Sequence, residues 1–353
     1  MSGRAKRGPA MRDVAQLAGV STSLVSLVMR GEPMVSPERR RRVLEAAAEL
    51  GYRTPPSARA SAGQRRPIVA VMVADLANRL LTDVAQAAER SLRAAGLTPL
   101  ITSPVATSPA GVEDTLDEEV VAALKDLQIV GCISVGSVPD LDGLQRLLGP
   151  LPLVVAAAHA GELAADEVRS DDRLGLRLVV DFLVARGHRA IAHLGGRGGP
   201  VAQARLDGYV EAMGVHGLSD LTQVAEAEFT EDSGYRGTAG LLRQHREATA
   251  IAALNDLAAL GALAAVSDAG LSVPTDIAVT GYDDTFVAAL PTVSLTTINQ
   301  NATEIGDLAA GFLTRRMADP AREYERSLLV PRLVTRSSAQ RLTGNRQPSG
   351  LTS

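Results

Sequence analysis

Six continuous apolar runs, interleaved with segments of helical length, constrain this chain more than any other feature. The runs span 68–74, 129–135, 151–158, 190–194, 251–254 and 277–281. They do not alternate in polarity, which is how strands read when both of their faces are covered. Segments 84–95, 116–127, 174–186, 204–213, 235–243 and 257–269 have the length and apolar repeat of crossover helices. Such a βαβ alternation dictates parallel sheets. With 353 residues the chain has room for about two domains beside a small appendage. Two doubly wound α/β lobes with parallel sheets are the natural division, and ligands of such folds bind beyond the carboxyl ends of the strands, in an interlobe cleft.

The first stretch of the chain follows a different pattern. Val14, Leu17 and Ala18 fall at helical spacing, Gly19 can take a left-handed turn, and Ser21 can cap a second helix holding Val25 and Val28 on one side. A third helix follows, with Ser36 as N-cap and Pro37 at its first position. Val43, Leu44, Ala47 and Leu50 supply its apolar stripe, and Gly51 stands at its stop. Three short helices around one small core form an all-α helix-turn-helix head, the architecture that lays a recognition helix in the major groove of DNA.

Charge agrees with this division. Residues 1–66 hold 13 Lys+Arg against 5 Asp+Glu and the remainder 23 against 35, so charges of +8 and -12 lie within the net -4. A basic head on an acidic body is the footprint of a phosphate-binding module joined to a part that does not touch nucleic acid. The run Arg39, Arg40, Arg41 and Arg42 reads either as phosphate contacts or as a solvated helix face.

Other features exclude function classes. No apolar run approaches the ~20 residues that span a bilayer. The opening MSGRAKRGPAMRD lacks the apolar segment of a signal peptide, which points to the cytoplasm, where a DNA-binding head is expected to be nucleoid-associated. The lone Cys132 sits in an apolar run and reads as a buried small hydrophobe, leaving no internal disulfide. His159, His188, His193, His216 and His245 show no metal-ligand spacing, so neither metal nor cofactor is expected. Gly195, Gly196, Gly198 and Gly199 match neither phosphate-loop pattern and read as a turn after a strand. No nucleophile-base pair stands out, and an enzyme is not expected.

Several motifs, in order and at their separations, carry a resemblance to a known family. They are DVAQLAGVS at 13–21, VSP with a basic helix and LGYR at 35–53, GHRAIAHLGG at 187–196, ND at 255–256, DAGLSVPTDIAVTGYDD at 268–284 and LTTINQ at 295–300. The chain resembles the lactose-repressor (LacI/GalR) family of bacterial transcription regulators over about residues 11–337. The resemblance implies a homodimer on a pseudopalindromic double-stranded DNA operator, with a periplasmic-binding-protein-like core whose small-molecule effector shifts operator affinity. It implies a head at 10–56, a hinge at 57–66 and a core at 67–340. The first lobe then comprises about 67–168 and 298–329, the second about 169–297 and 330–340, and 341–353 is a disordered tail. No leucine heptad argues for a tetramer.

Within the head, Ser21, Thr22, Ser23, Ser26, Leu27, Arg30, Arg59 and Ser61 are the candidate DNA-binding residues. Leu27 stands where relatives commonly carry arginine, so operator choice should differ from that of guanine-reading members. Ser61 stands where a hinge leucine wedges into the minor groove, after Pro55 and Pro56, so the kink should be smaller or absent. The hinge fits either a turn of helix around Ala58, Arg59 and Ala62 or a flexible linker.

For the effector, the resemblance points to Asp75, Asn78, Arg205, Phe229, Asn255 and Asp283. A carboxylate, an amide and a guanidinium converging on an apolar plate is sugar-like chemistry. Ala157 and Ala158 replace an Asp-Arg pair common in relatives, and Leu80 and Leu81 replace aromatics, which argues against an ordinary hexose. The reading from sequence is a repressor with a sugar-like effector; the alternative is a cytoplasmic small-molecule-binding protein with weakened DNA specificity.

Overall fold

A computed structural model describes residues 10–29, 35–50, 52, 66–106, 115–245 and 247–339. Arg30, Arg59, Ser61, Gly51, the hinge up to 65 and the tail 341–353 lie outside the described residues. The chain divides into two compact units, Met1–Pro67 and Ile68–Ser353.

The first unit holds α1 (Met11–Ala18), α2 (Thr22–Met29) and α3 (Pro37–Glu49). Gly19 adopts φ +64°, so glycine is favoured there by conformation, and the Arg42 guanidinium lies close by. Ser21 caps α2, its Oγ accepting from Leu24 N at 3.2 Å. Ser36 occupies the N-cap of α3 without a side-chain bond, leaving Pro37 to set the first turn.

Two expected core positions are corrected. Leu17 is 46% exposed and Leu44 48% exposed. The buried stripes run instead through Val14, Ala15 and Ala18 on α1 and through Val43, Ala46 and Ala47 on α3, closed by Val25, Val28 and Val35. Alanines let three short helices approach closely enough to share one small core, which swings the leucines outward.

In the second unit, the first lobe begins with β1 (Ile68–Val73), α4 (Arg79–Ala94), β2 (Thr98–Thr102) and the antiparallel pair β3 (Val105–Ala106) and β4 (Thr115–Leu116). It continues through α5 (Glu118–Asp126), β5 (Cys132–Val135), α6 (Leu141–Leu148), β6 (Leu153–Ala156) and β7 (Asp166–Ser170). The second lobe holds α7 (Asp172–Ala185), β8 (Ile191–Gly196), α8 (Gly199–Val215), β9 (Gln223–Ala227), α9 (Glu231–Gln244), β10 (Ala250–Ala253), α10 (Asp256–Asp268) and β11 (Ala278–Thr280). From β12 (Thr297–Asn299) the chain returns to the first lobe as α11 (Ala302–Ala318) and β13 (Arg326–Leu329), then crosses again to β14 (Arg332–Val334), antiparallel to β12.

Both sheets are parallel, in the orders β13-β7-β6-β5-β1-β2 and β11-β10-β8-β9. The continuous apolar runs have the cause that the sequence suggests. On β1, Val69, Val71 and Val73 pack with Leu81, Val84 and Leu313 on one face, while Ala70 and Met72 pack with Val121, Leu144 and Leu148 on the other. Cys132 is fully buried, and burial pushes its thiol up to about 12, so it stays a neutral hydrophobe.

Strands β2, β7, β9 and β13 and helices α6 and α11 are not evident from local periodicity. The clearest case is β7, whose DEVRS reads as polar surface yet lies inside the sheet. Asp166 is fully buried because Arg316 of α11 clasps it with two bonds of 3.0 Å, and Glu325 N donates to it at 2.8 Å. The same guanidinium donates to the carbonyls of Pro320, Arg322 and Glu323. This one ion pair fastens the returning segment to the sheet edge.

Candidate functional site

Parallel strands that end level place their following loops in one plane. Val73 pairs with Val135 and Val135 with Ala156, while Leu194 pairs with Ala253 and Gly196 with Ala227. The loops and helix starts beyond these ends line a cavity of about 270 Å³. The first lobe supplies Asp75, Asn78, Leu80, Leu81, Gly136, Ser137, Pro139 and Ala157; the second supplies Gly198, Val201, Arg205, Phe229 and Asp283.

Five of the six candidate residues therefore meet there. Asn255 does not. It is fully buried, its Oδ1 caps α10 by accepting from Ala258 N at 2.8 Å, and its Nδ2 donates to Phe229 O at 3.1 Å. Its side chain is spent on holding the helix and the backbone of the aromatic residue. Asp75 and Asn78 keep only part of their polar capacity, since Asp75 Oδ1 accepts from Ala77 N at 2.8 Å and Asn78 Oδ1 accepts from Leu80 N at 3.0 Å. The Asn78 Nδ2 and one Asp75 oxygen remain for the cavity.

Arg205 organises the second lobe's wall. It is 2% exposed, its Nε donates to Asp172 Oδ1 at 2.9 Å, and its Nη1 donates to Leu254 O and stands 3.7 Å from Asp283 Oδ1. Its Cζ lies 3.8 Å from the centroid of the Tyr282 ring and 5.7 Å from that of Phe229. Among the described residues, Nη2 has no hydrogen-bond partner.

One buried guanidinium cannot neutralise two carboxylates equally. Burial alone pushes Asp172 up, but the Arg205 charge, reinforced by His159 at 3.6 Å, holds it below its ordinary value. Asp283 takes the opposite course. Burial pushes it up to about 8 against the pull of Arg205, and the nearby Asp256 adds to the rise. Of the two carboxyls, Asp172 is the one held ionised by Arg205 and Asp283 is the one that burial drives toward the protonated form. The Gln300 Nε2 donates to Asp283 Oδ1 at 2.6 Å, and the residue borders the cavity. Asp283 adopts φ +115°, held by its own N–H donating to Ile298 O at 2.8 Å.

Phe229 borders the cavity through a glycine requirement. Gly198 sits at φ +114°, and a Cβ there would collide with the Phe229 ring. The glycine-rich turn after β8 thus serves close approach of an aromatic face. Ser137, Pro139 and Val201 escaped sequence reasoning as site residues, while Ala157 borders the cavity where the resemblance places an effector position. The rule that selected Asp75, a polar residue just past an apolar run, also applies to Ser137 after the run 129–135.

In the head, α2 turns Val25 and Val28 into the core and leaves Thr22 and Ser23 exposed, with Ser26 and Leu27 half-buried beside them. Of the arginine run, Arg42 Nη2 donates to Ala18 O at 2.6 Å at the C-terminus of α1, and Arg41 pairs with Glu45 at 3.3 Å. At least Arg42 is therefore structural.

Comparison with known proteins agrees with both units. Residues 10–55 match the model for bacterial regulatory proteins of the lacI family, and residues 180–339 match a periplasmic binding protein-like domain. The chain is 30% identical over 330 residues to a ribose operon repressor of Haemophilus influenzae, covering 93% of this chain and 98% of that one. The lac repressor dimer bound to operator and the anti-inducer ONPF superposes with a TM-score of 0.73 at 26% identity, over 95% of this chain and 100% of the other. A LacI-family regulator from Enterococcus faecium with bound ribose gives 0.69 at 27% identity, over 78% of this chain and 100% of the other.

Proposed function

Because the chain belongs to the lacI family of bacterial regulatory proteins, we propose that it represses transcription as a homodimer on a pseudopalindromic operator, under control of a sugar or sugar derivative bound in the cleft. It is a regulator rather than an enzyme, and it works in the cytoplasm at the nucleoid. The head at 10–56 positions α2 in the major groove, with Ser21, Thr22, Ser23, Ser26 and Leu27 toward the DNA. Arg30, Arg59 and Ser61 act from the end of that helix and from the hinge at 57–66.

The observation that carries the effector reading is the convergence of Asp75, Asn78, Arg205, Phe229 and Asp283 on one cavity from beyond four strand ends, those of β1, β8, β9 and β11, in two lobes. An amide, a carboxyl and a guanidinium hydrogen-bond vicinal hydroxyls, while Phe229 covers the apolar face of a ring. The ribose named for two relatives has this chemistry. A sugar that contacts both walls favours the closed arrangement of the lobes, and its differential affinity shifts the population of operator-binding molecules. Such coupling amounts to about 1–3 kcal/mol, a change of roughly 5- to 150-fold in operator affinity.

The test is selection of full-length protein on a randomised palindromic library, followed by anisotropy titrations. The selected duplex should bind at least ~1000-fold more tightly than its scramble, with affinity falling steeply in salt. Equal affinity for the scramble would remove the repressor reading.

A further inference from the structure

Resting on the repressor reading, we propose that α2 reads its half-site through the 5-methyl group of thymine, with Leu27 as the specificity-determining residue. Base pairs are discriminated in the major groove mainly by bidentate pairs: arginine or lysine to guanine, asparagine or glutamine to adenine, and carboxylates to cytosine. The helix Thr22–Met29, TSLVSLVM, contains none of these residue types. Val25 and Val28 are buried in the head core. The strip left on the outer side is Thr22, Ser23, Ser26 and Leu27, spaced so that they share one face.

The chemistry of that strip is limited. Ser21 spends its hydroxyl oxygen on capping. The hydroxyls of Thr22, Ser23 and Ser26 both donate and accept, so they pair with any base edge and discriminate little. Leu27 offers only carbon. Thymine carries the one methyl group displayed by the four bases in the groove, and it is the only complement to such a side chain. Leu27 also packs in part against the head core beside Leu24 and Met29. That packing restrains its rotamer, so the outward methyls present a fixed apolar knob rather than a mobile one.

Burying one methyl changes affinity about fourfold, and two half-sites together about fifteenfold. The experiment replaces each thymine of the selected operator with uracil, which deletes only that methyl, and measures full-length protein by anisotropy. One major-groove position per half-site should lose about fourfold. The loss should vanish in Leu27→Ala and persist in Leu27→Met, with far-ultraviolet circular dichroism and the melting midpoint of each variant reporting a folded head. Tolerance of uracil at every position, with operator preference intact, overturns the inference and leaves the repressor reading standing. So does a larger loss on replacing a guanine with 7-deazaguanine, which would reveal a bidentate donor at work. Absence of any preferred sequence overturns both.

Discussion

Two buried aspartate–arginine pairs flank the passage from β7 to α7, and they have opposite designs. Asp166 and Arg316 bind each other through two bonds of 3.0 Å, and the rest of the guanidinium is saturated by three carbonyls. Asp172 and Arg205 share a single bond of 2.9 Å, a second carboxylate stands 3.7 Å away, and Nη2 is left over. The first pair has no capacity for anything but the fold. The second holds a surplus acid and a surplus donor at the edge of a cavity, which is what a ligand requires. A buried ion pair becomes a site when its hydrogen-bonding groups exceed what the protein itself can satisfy.

Breaking the saturated pair should have the largest effect. Asp166→Ala leaves Arg316 buried without its partner and should cost about 3–5 kcal/mol of stability, read from urea denaturation. Sugar affinity of the remaining folded protein should hold. In Arg205→Lys the charge beside Asp172 stays and the planar fork goes, so sugar affinity should fall by about 1.5–3 kcal/mol, measured by calorimetric titration. An Arg205→Lys protein that binds sugar normally would show that the surplus donor is idle.

Gly198→Ala sharpens the contrast from the aromatic side. It forces a side chain into φ +114° and into the Phe229 ring, at about 1–3 kcal/mol of strain, and should weaken sugar binding without touching either ion pair. A smaller effect is expected from Asp283→Asn. The native Asp283 carboxyl titrates near 8 against an ordinary value of 3.8. A raised acid favours the folded state fully below its unfolded value, and that advantage is lost as pH climbs from about 4 toward about 8. The wild-type melting midpoint should therefore decline over this window more than that of Asp283→Asn, which imitates the protonated form at every pH. Parallel profiles from about pH 5 to about pH 9 would place the surplus proton elsewhere.

The contrast also explains what sequence could reveal. The strands of the sheet interiors were legible because burial on both faces writes itself into consecutive residues such as IVAVMV, and Asp75 was legible because it follows such a run. Strand β7 was not, since its burial depends on Arg316, 150 residues away in sequence. Asn255 misled for a related reason: its position past β10 suits a ligand contact, but helix capping and the Phe229 carbonyl claim both ends of the amide. In the head, helical spacing located the three helices, while the choice between alanine and leucine at the contact faces followed from how closely the helices approach.

The central claim is that the Arg205–Asp283 wall receives the effector and governs DNA binding. Its most direct test is an anisotropy titration of full-length protein on its selected operator, with ribose and a panel of other sugars, for wild type and Arg205→Lys in parallel. At least one sugar should change wild-type operator affinity fivefold or more, by about the minimum expected of allosteric coupling, and Arg205→Lys should need a far higher concentration for the same change. An identical dose response in the variant, or no response in the wild type to any sugar, would contradict the account.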